Sequence, residues 1–258
     1  MAYSEGIRIK KKHGQHFLRD QSVIHAMIGR VACTPTTNVF EIGCGDGVLS
    51  RAIMDTKVQK LYIFEIDPEW ATYVRSQIPD SRLTMFETNF LDLDRAILEP
   101  NAPWTVLANL PYNVTFPILN YFQRNRDLLC EGVVMVQEEV AQKLVGKRGR
   151  SYGYISLFFQ HYFELELMNK IAPTAFFPPP KVFSRLVYFK VRTDAPVIHD
   201  EDKFWNFIKI CFKQPRRTLL NNLKSYEQFL NKVPEKILAL RAQQMGMEDF
   251  LAVWDIIR

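Results

Sequence analysis

Three glycines at alternate positions restrict most what this chain can become. Gly43, Gly45 and Gly47 fall in the loop Glu41-Ile42-Gly43-Cys44-Gly45-Asp46-Gly47, between a strand-like Asn38-Val39-Phe40 and a helix-like stretch, 48–54. Glycine adopts positive φ at little cost and lets the backbone approach a ligand closely. A helix beginning behind the loop adds N–H groups with no partner inside the helix. The spacing is G-x-G-x-G, so the G-x-G-x-x-G dinucleotide fingerprint is not met. The next apolar run, Leu61-Tyr62-Ile63-Phe64, ends at Glu65-Ile66-Asp67. An acid about 20 positions past the glycines, at the end of a second strand, can hold a ribose diol. Glu65 is placed for this, with Asp67 as competitor. Any doubly wound fold also needs a tight first turn, so the loop alone admits a purely structural reading.

A second segment narrows the choice. Asn109-Leu110-Pro111-Tyr112 follows an apolar run, 104–108, that reads as a buried strand. The Asn side chain offers an oxygen acceptor and an amide donor in a fixed place. Leu110 and Pro111 turn the chain with a fixed φ and no N–H at the proline, and the carbonyl before it stays free to accept. Tyr112 adds a flat ring. Two acceptors and one stacking face suit a flat group carrying an NH2, such as an adenine edge. A strand-to-loop turn with a packed tyrosine is the plain alternative.

Strand-like runs at 38–42, 60–66, 82–87, 104–109 and 131–137 alternate with helix-like runs at 22–32, 47–56, 68–77, 114–125 and 138–146. That alternation predicts an α/β fold with a mostly parallel sheet covered by helices on both faces. Gly43, Gly45, Gly47, Glu65, Asn89 and Asn109 then fall at the carboxyl ends of strands, where open α/β sheets bind ligands. Beyond residue 150 the pattern changes to a buried aromatic helix over 152–162 and late strands over 163–168 and 182–191. From residue 196 it is mostly helical, at 201–213, 216–223, 234–241 and 248–257. The expected division is a catalytic domain over 1–193 and a small all-helical domain over 194–258.

The 258 residues, 47% of them apolar, suffice for one substantial core and a small second domain. No run of 18 apolar residues suggests a membrane span, and Met1 to Lys12 lacks the apolar stretch of a secretory signal. Cys33, Cys44, Cys130 and Cys211 form no C-x-x-C pair, so free thiols are expected and no metal. Cys44 reads as a small residue that fits its loop. The net charge of +5 is modest but clustered. Residues 8–19, 143–150 and 209–217 each carry four or five Lys and Arg without an acid. Such clusters attract phosphate backbones, although each alone could be a solvated face.

The loop and Asn109–Tyr112 together resemble the S-adenosylmethionine-dependent methyltransferases. Lys11-Lys12-His13-Gly14-Gln15-His16-Phe17-Leu18 narrows this, being similar to the N-terminal motif of the ribosomal RNA adenine N6,N6-dimethyltransferases. Phe176-Phe177-Pro178-Pro179-Pro180-Lys181-Val182-Phe183-Ser184 resembles that family's F-x-P-x-P-K-V-x-S segment, and residues 212–223 its basic C-terminal helix. The resemblance implies a Rossmann-like methyltransferase sheet with a late antiparallel strand pair. It implies S-adenosyl-L-methionine as cofactor, bound by His16, Leu18, Gly43, Glu65, Asn89 and Asn109. It also implies a reacting adenine held by Asn109 and the Leu110 carbonyl and gripped by Tyr112 and Phe176, with Phe177 competing for the last role. The housekeeping branch fits best. It dimethylates two adjacent adenines near the 3′ end of small-subunit RNA. The implied partner is that RNA in its assembling subunit, met in the cytoplasm by a monomer that uses no metal and no membrane.

Asn89 departs from the family's usual Asp and keeps an acceptor without the charge, so weaker cofactor binding is expected. His16 stands where Asn or His is usual. Three rivals stay open. The macrolide-resistance type of large-subunit dimethylase differs mainly in its RNA. DNA adenine methyltransferases often carry Asn-Pro-Pro-Tyr and a larger recognition domain. A non-catalytic RNA-binding assembly factor could share the fold.

Overall fold

The computed structural model describes residues 3–10, 15–147 and 149–258. Its strands, in chain order, are β1 (Tyr3–Ser4), β2 (Ile7–Arg8), β3 (Phe17–Leu18), β4 (Asn38–Ile42), β5 (Lys60–Glu65) and β6 (Leu83–Glu87). There follow β7 (Trp104–Asn109), β8 (Leu129–Gln137), β9 (Phe163–Ile171), β10 (Phe176–Phe177) and β11 (Ser184–Val191). Seven of them form one sheet in the order β6-β5-β4-β7-β8-β11-β9. The pairs β6–β5, β5–β4, β4–β7 and β7–β8 are parallel, and β11 lies antiparallel to β8. This is the mostly parallel sheet that the alternation predicts, with a late antiparallel strand as the resemblance implies. The chain leaves β4 toward β5 on one side and later returns to β7 on the other. The crevice between the carboxyl ends of β4 and β7 is therefore the topological switch point, where such sheets bind ligands.

Side chains alternate across a strand, and the two faces of this sheet are unlike. Val39, Leu61, Ile63, Leu107, Val133 and Met135 share one aliphatic core with Ile24 and Met27 of the helix Gln21–Gly29 and Ile53 of Val48–Met54. On the other face the rings of Phe40, Phe64, Phe90, Trp104 and Phe122 pack at centroid distances of 5.3–6.1 Å. Helix starts follow capping chemistry. Asp20 accepts from the Ser22 N–H at 2.9 Å, and Asp67 accepts from the Glu69 N–H at 3.2 Å with Pro68 as the first helical residue. Both satisfy N–H groups that the helix leaves open.

The chain divides into two compact units. One takes in the described residues of Met1–Ala141 together with Glu164–Val191, and the other those of Gln142–Phe163 with Arg192–Arg258. The second unit thus draws in residues 142–163, ahead of the boundary expected near Thr193. Its core explains why. In the helix Tyr154–Tyr162, Phe158 packs on Trp205 at 4.9 Å, and the Trp205 indole N–H donates to the Tyr162 hydroxyl at 2.7 Å. Phe204, Phe207, Phe250 and Trp254 complete this aromatic core from the helices Glu201–Cys211 and Met247–Ile257. Between those two, the helices are single turns, Leu219–Asn222, Glu227–Leu230 and Glu235–Leu238. No described helix is long and apolar enough to cross a membrane.

Two core positions give sharp expectations. Gly132 sits in β8 between β7 and β11, opposite Val106 and Phe189. A Cβ there would lie 2.5 Å from the Val106 carbonyl oxygen and 2.7 Å from the Phe189 ring. Gly132→Ala should therefore cost about 1–3 kcal/mol of unfolding free energy. An unchanged denaturation midpoint would mean that the strands part freely at this point.

Glu41, at the end of β4, is buried, and one of its oxygens accepts from the Ser50 hydroxyl at 2.6 Å. Burial pushes its pKa from 4.5 up to about 8, the Ser50 bond opposing and the negative neighbours Glu65 and Asp46 adding. The folded protein therefore holds a proton here that the unfolded chain releases near 4.5. This contribution to stability is whole below that pH and is lost as pH climbs toward about 8. Glu41→Gln removes it, so the variant's melting temperature should fall less across that window than the parent's. Parallel curves would refute a neutral Glu41.

Candidate active site

At the carboxyl ends of β4, β5 and β7 the chain encloses a cavity of about 310 Å³. Its walls bring together His16, Leu18, Gly43, Glu65, Asn89, Asn109, Leu110 and Tyr112, drawn from five separate parts of the sequence. The glycine loop forms one wall. Gly43, Gly45 and Gly47 all adopt left-handed φ, at 72°, 52° and 77°. At Gly45 a side chain is also barred by packing, because a Cβ would stand 2.7 Å from the Phe17 ring.

Glu65 and its competitor Asp67 part company here. Glu65 is buried at the cavity wall, its oxygens accepting from the Gly45 N–H at 3.2 Å and the Asp67 N–H at 2.9 Å. The Cys44 thiol also points to it, 3.6 Å away. Burial pushes the Glu65 carboxyl above its ordinary range, only partly offset by these bonds. Asp67 instead caps the helix Pro68–Gln77 and binds the Lys10 ammonium at 2.7 Å and the Gln15 amide at 3.2 Å. Burial would raise its carboxyl, but Lys10 and Gln15 outweigh that and hold it low. The Cys44 thiol is driven well above its ordinary value by burial beside Glu65 and Glu41, so it stays protonated and unreactive.

The opposite wall is knotted around His16. Its backbone carbonyl accepts from the Asn109 side-chain amide at 3.1 Å. Its ring Nδ1 lies 2.7 Å from the Pro178 carbonyl oxygen, so Nδ1 must carry the proton and donate. The ring also stacks on Tyr112, with centroids 5.9 Å apart and planes 25° from parallel. The Tyr112 hydroxyl is hydrogen-bonded to the Ser184 hydroxyl. Three of the motifs therefore interlock through five residues, His16, Asn109, Tyr112, Pro178 and Ser184. Ser184 is a site residue that the sequence reading placed in a motif but gave no role.

The His16 bond also settles which way the Asn109 amide points. A carbonyl can only accept, so the NH2 end faces His16. No described residue donates to the Asn109 Oδ1 or to the Leu110 carbonyl. Both residues line the cavity.

Other expected residues behave differently. Leu18 is buried and pairs with Phe176 across β3 and β10. Phe176 does not line the cavity. It is only 4% exposed and belongs to the aliphatic core with Leu18, because alternation on β10 turns Phe176 inward and Phe177 outward, 44% exposed. The expectation that Phe176 faces a bound adenine is corrected to that extent. Asn89 lines the cavity and caps a short turn, its Oδ1 accepting from the Leu91 N–H at 3.2 Å. Its amide donates to Asp92, three positions on, at 3.0 Å.

The basic clusters are also unequal. Lys10 is paired with Asp67 and Glu69, and Arg19 with Asp46, so two of the first cluster's five cations are spent on acids of its own unit. Its Lys11 and Lys12 lie outside the described residues. Lys147, Arg150, Lys213, Arg216 and Arg217 are exposed on the second unit, and Arg148 lies outside the described residues. Among the described residues no group of three or more His, Cys, Asp or Glu is arranged to hold a metal ion.

Comparison with known proteins agrees with this geometry. The family described as Ribosomal RNA adenine dimethylase matches residues 6–257. A Chlorobium phaeobacteroides protein named ribosomal RNA small subunit methyltransferase A is 34% identical over 254 residues, spanning 98% of this chain and 92% of that relative. Among solved structures, a dimethyladenosine transferase from Plasmodium falciparum superposes with a TM-score of 0.80 over 92% of this chain and 96% of its own, at 22% identity. The 23S rRNA methyltransferase ErmE reaches 0.74 over 93% of this chain and 99% of its own, also at 22%. These two structures share the fold. The family match and the curated relative together establish that this chain is an enzyme of the ribosomal RNA adenine dimethylase family.

Proposed function

We propose that this enzyme uses S-adenosyl-L-methionine to dimethylate the N6 amines of two adjacent adenines near the 3′ end of small-subunit ribosomal RNA. It would do so in the cytoplasm, as a monomer acting on an assembling subunit. The observation that carries the reading is the oriented Asn109 amide, with no described residue donating to its Oδ1 or to the Leu110 carbonyl. The name of the curated relative, a small-subunit methyltransferase, favours the small subunit over the large.

The cavity suits the cofactor. About 310 Å³ lies within the range of small-molecule sites. Glu65 Oε1 accepts one N–H and keeps a lone pair for a ribose hydroxyl, while Oε2 accepts an N–H and faces the weakly donating Cys44 thiol. At Gly43 no atom stands nearer than 3.8 Å to where a Cβ would be, so the backbone is open to close approach. Leu18 and Asn89 complete the expected lining. When bound, S-adenosyl-L-methionine supplies an electrophilic methyl group on a sulfonium, so no metal is demanded.

The residues then position the amine. Adenine N6 is a poor nucleophile because its lone pair is delocalised into the ring. Asn109 Oδ1 and the Leu110 carbonyl accept its two hydrogens and favour a pyramidal nitrogen with the lone pair aimed outward. Such orientation and fixed dipoles would carry most of the rate. The target base must leave its stack to reach them. Tyr112, held by Ser184 and His16, offers it a face, while Phe176 supports β3 from the core. The exposed cations of the helical unit would meet phosphates, and their contribution should weaken with salt.

The test incubates the protein and labelled cofactor with small subunits lacking the paired dimethyladenines, with large subunits and duplex DNA in parallel. Label confined to two adjacent adenines, mapped by reverse-transcription stops, is the expected result. Label on large-subunit RNA or DNA would move the substrate. No label from a protein that still binds cofactor would favour the assembly factor. Asn109→Ala should cut the rate roughly 100-fold or more, by analogy with loss of one transition-state hydrogen bond.

Asn89 yields a sharper test. Asn89→Asp alone would set two carboxylates within hydrogen-bond distance, because the present amide bonds Asp92. The pair Asn89→Asp with Asp92→Asn keeps that bond and adds a charged acceptor, worth about 1 kcal/mol. Cofactor affinity should therefore rise about fivefold in the double variant and less in the single. Equal affinity of parent and double variant would refute Asn89 as the weak point.

A further inference from the structure

We propose that the loop carrying Phe177 and Phe183, with Lys170 and Lys181, is a platform for the single-stranded RNA that flanks the reacting adenine. Among the described residues seven large apolar side chains are exposed, and three of them, Phe177, Val182 and Phe183, lie on this one loop. Single exposed apolar residues need no explanation, but clustered ones mark interaction surfaces. Two of these three are flat rings.

Position ties the platform to the site. Phe177 precedes Pro178, whose carbonyl accepts from the His16 ring N–H, and Phe183 precedes Ser184, which bonds Tyr112. Each exposed ring is one residue away from a direct contact with the His16–Tyr112 stack. The loop is also held firmly. Pro178, Pro179 and Pro180 stiffen it, and the Phe183 carbonyl accepts from the Glu138 N–H at 2.9 Å. Rings displayed on a pre-organised loop lose little entropy on binding.

Charge chooses the occupant. Residues 167–193 contain no acid. The Lys170 ammonium sits 4.5 Å from the centre of the Phe183 ring, and Lys170 and Lys181 are both exposed. Flat rings beside exposed ammonium groups fit a strand that offers bases to stack and phosphates to pair. Extracting one base leaves its neighbours unstacked on one side. Phe177 and Phe183 are placed to replace that lost stacking.

This inference rests on the RNA reading of the site, and its test separates the two. Affinity for a short adenine-containing single-stranded RNA and for the cofactor are measured for the parent, Phe177→Ala, Phe183→Ala and the double variant. The KM and kcat for small subunits are measured alongside. The double variant should lose roughly tenfold or more in RNA affinity. Its KM for subunits should rise with little change in kcat, and its cofactor affinity should stay the same. Phe183→Trp should keep the affinity and Phe183→Leu lose it, because a flat face and not apolar bulk is required. Lys170→Gln and Lys181→Gln should each lower the salt slope of RNA binding by about 0.7. Unchanged RNA affinity in the double variant would overturn the proposal. A defect seen with whole subunits and absent with free RNA would also overturn it, by making the loop a protein contact. If the parent transfers no label, the proposed function fails, and the RNA affinities still decide this inference.

Discussion

The bond from the Asn109 amide to the His16 carbonyl organises the whole site. An asparagine has two nearly isosteric ends, and in an unrestrained side chain they exchange freely. One carbonyl placed 3.1 Å from the nitrogen removes that freedom, because a carbonyl cannot donate. The same bond fastens the segment before β3 onto the end of β7. That segment in turn grips the proline loop through the His16 ring. A change at His16 that moves its backbone would therefore disturb the amine-facing oxygen, the Tyr112 ring and the loop beyond it together, although no atom of the His16 side chain need touch the reacting nitrogen.

The second constraint is electrostatic. Glu41, Asp46, Glu65 and Asp67 are all buried within a short distance along the chain from the glycine loop. Bare carboxylates there would be costly, and each is relieved in its own way. Glu41 keeps its proton beside Ser50. Asp46 has Arg19, and Asp67 has Lys10. Glu65 has no cation partner among the described residues, only N–H and S–H donors, and burial holds its carboxyl above its ordinary range. It is the acid with most to gain from further donors, which is the physical case for it, and not Asp67, as the partner of a diol. The cost of this crowding also explains why Lys10 and Arg19 are not free: they neutralise the site's own acids.

Much of this was legible in the sequence, for identifiable reasons. The five parallel strands were readable because apolar runs alternate regularly with helix-like ones, and a run such as 104–109 has few other fates. The order of motifs placed Gly43, Glu65 and Asn109 on one sheet edge. Three things were not legible. β3 and β10 are two residues each, too short for any periodicity, so the pairing of Leu18 with Phe176 is a purely tertiary fact. That pairing is what turns Phe176 inward and Phe177 outward, which motif matching alone could not decide. Residues 142–163 read as part of the catalytic domain because they precede its last strands, yet their aromatic face finds its partners in Trp205 and the later helices. Lys10 and Arg19 looked like phosphate contacts because charge clustering along a chain carries no information about acids brought near by folding.

Asn89 shows how a departure from the family's pattern acquires a local reason. Read alone, it is a lost charge at a cofactor site. In the fold its two ends are separately committed: the oxygen takes the Leu91 N–H, and the nitrogen gives to Asp92. A carboxylate at residue 89 could satisfy the first of these and would repel the second. With Asp92 in place, asparagine is the side chain that caps the turn without setting two like charges against each other. The missing charge is then displaced by three residues, and the strength of cofactor binding depends on the pair of residues jointly.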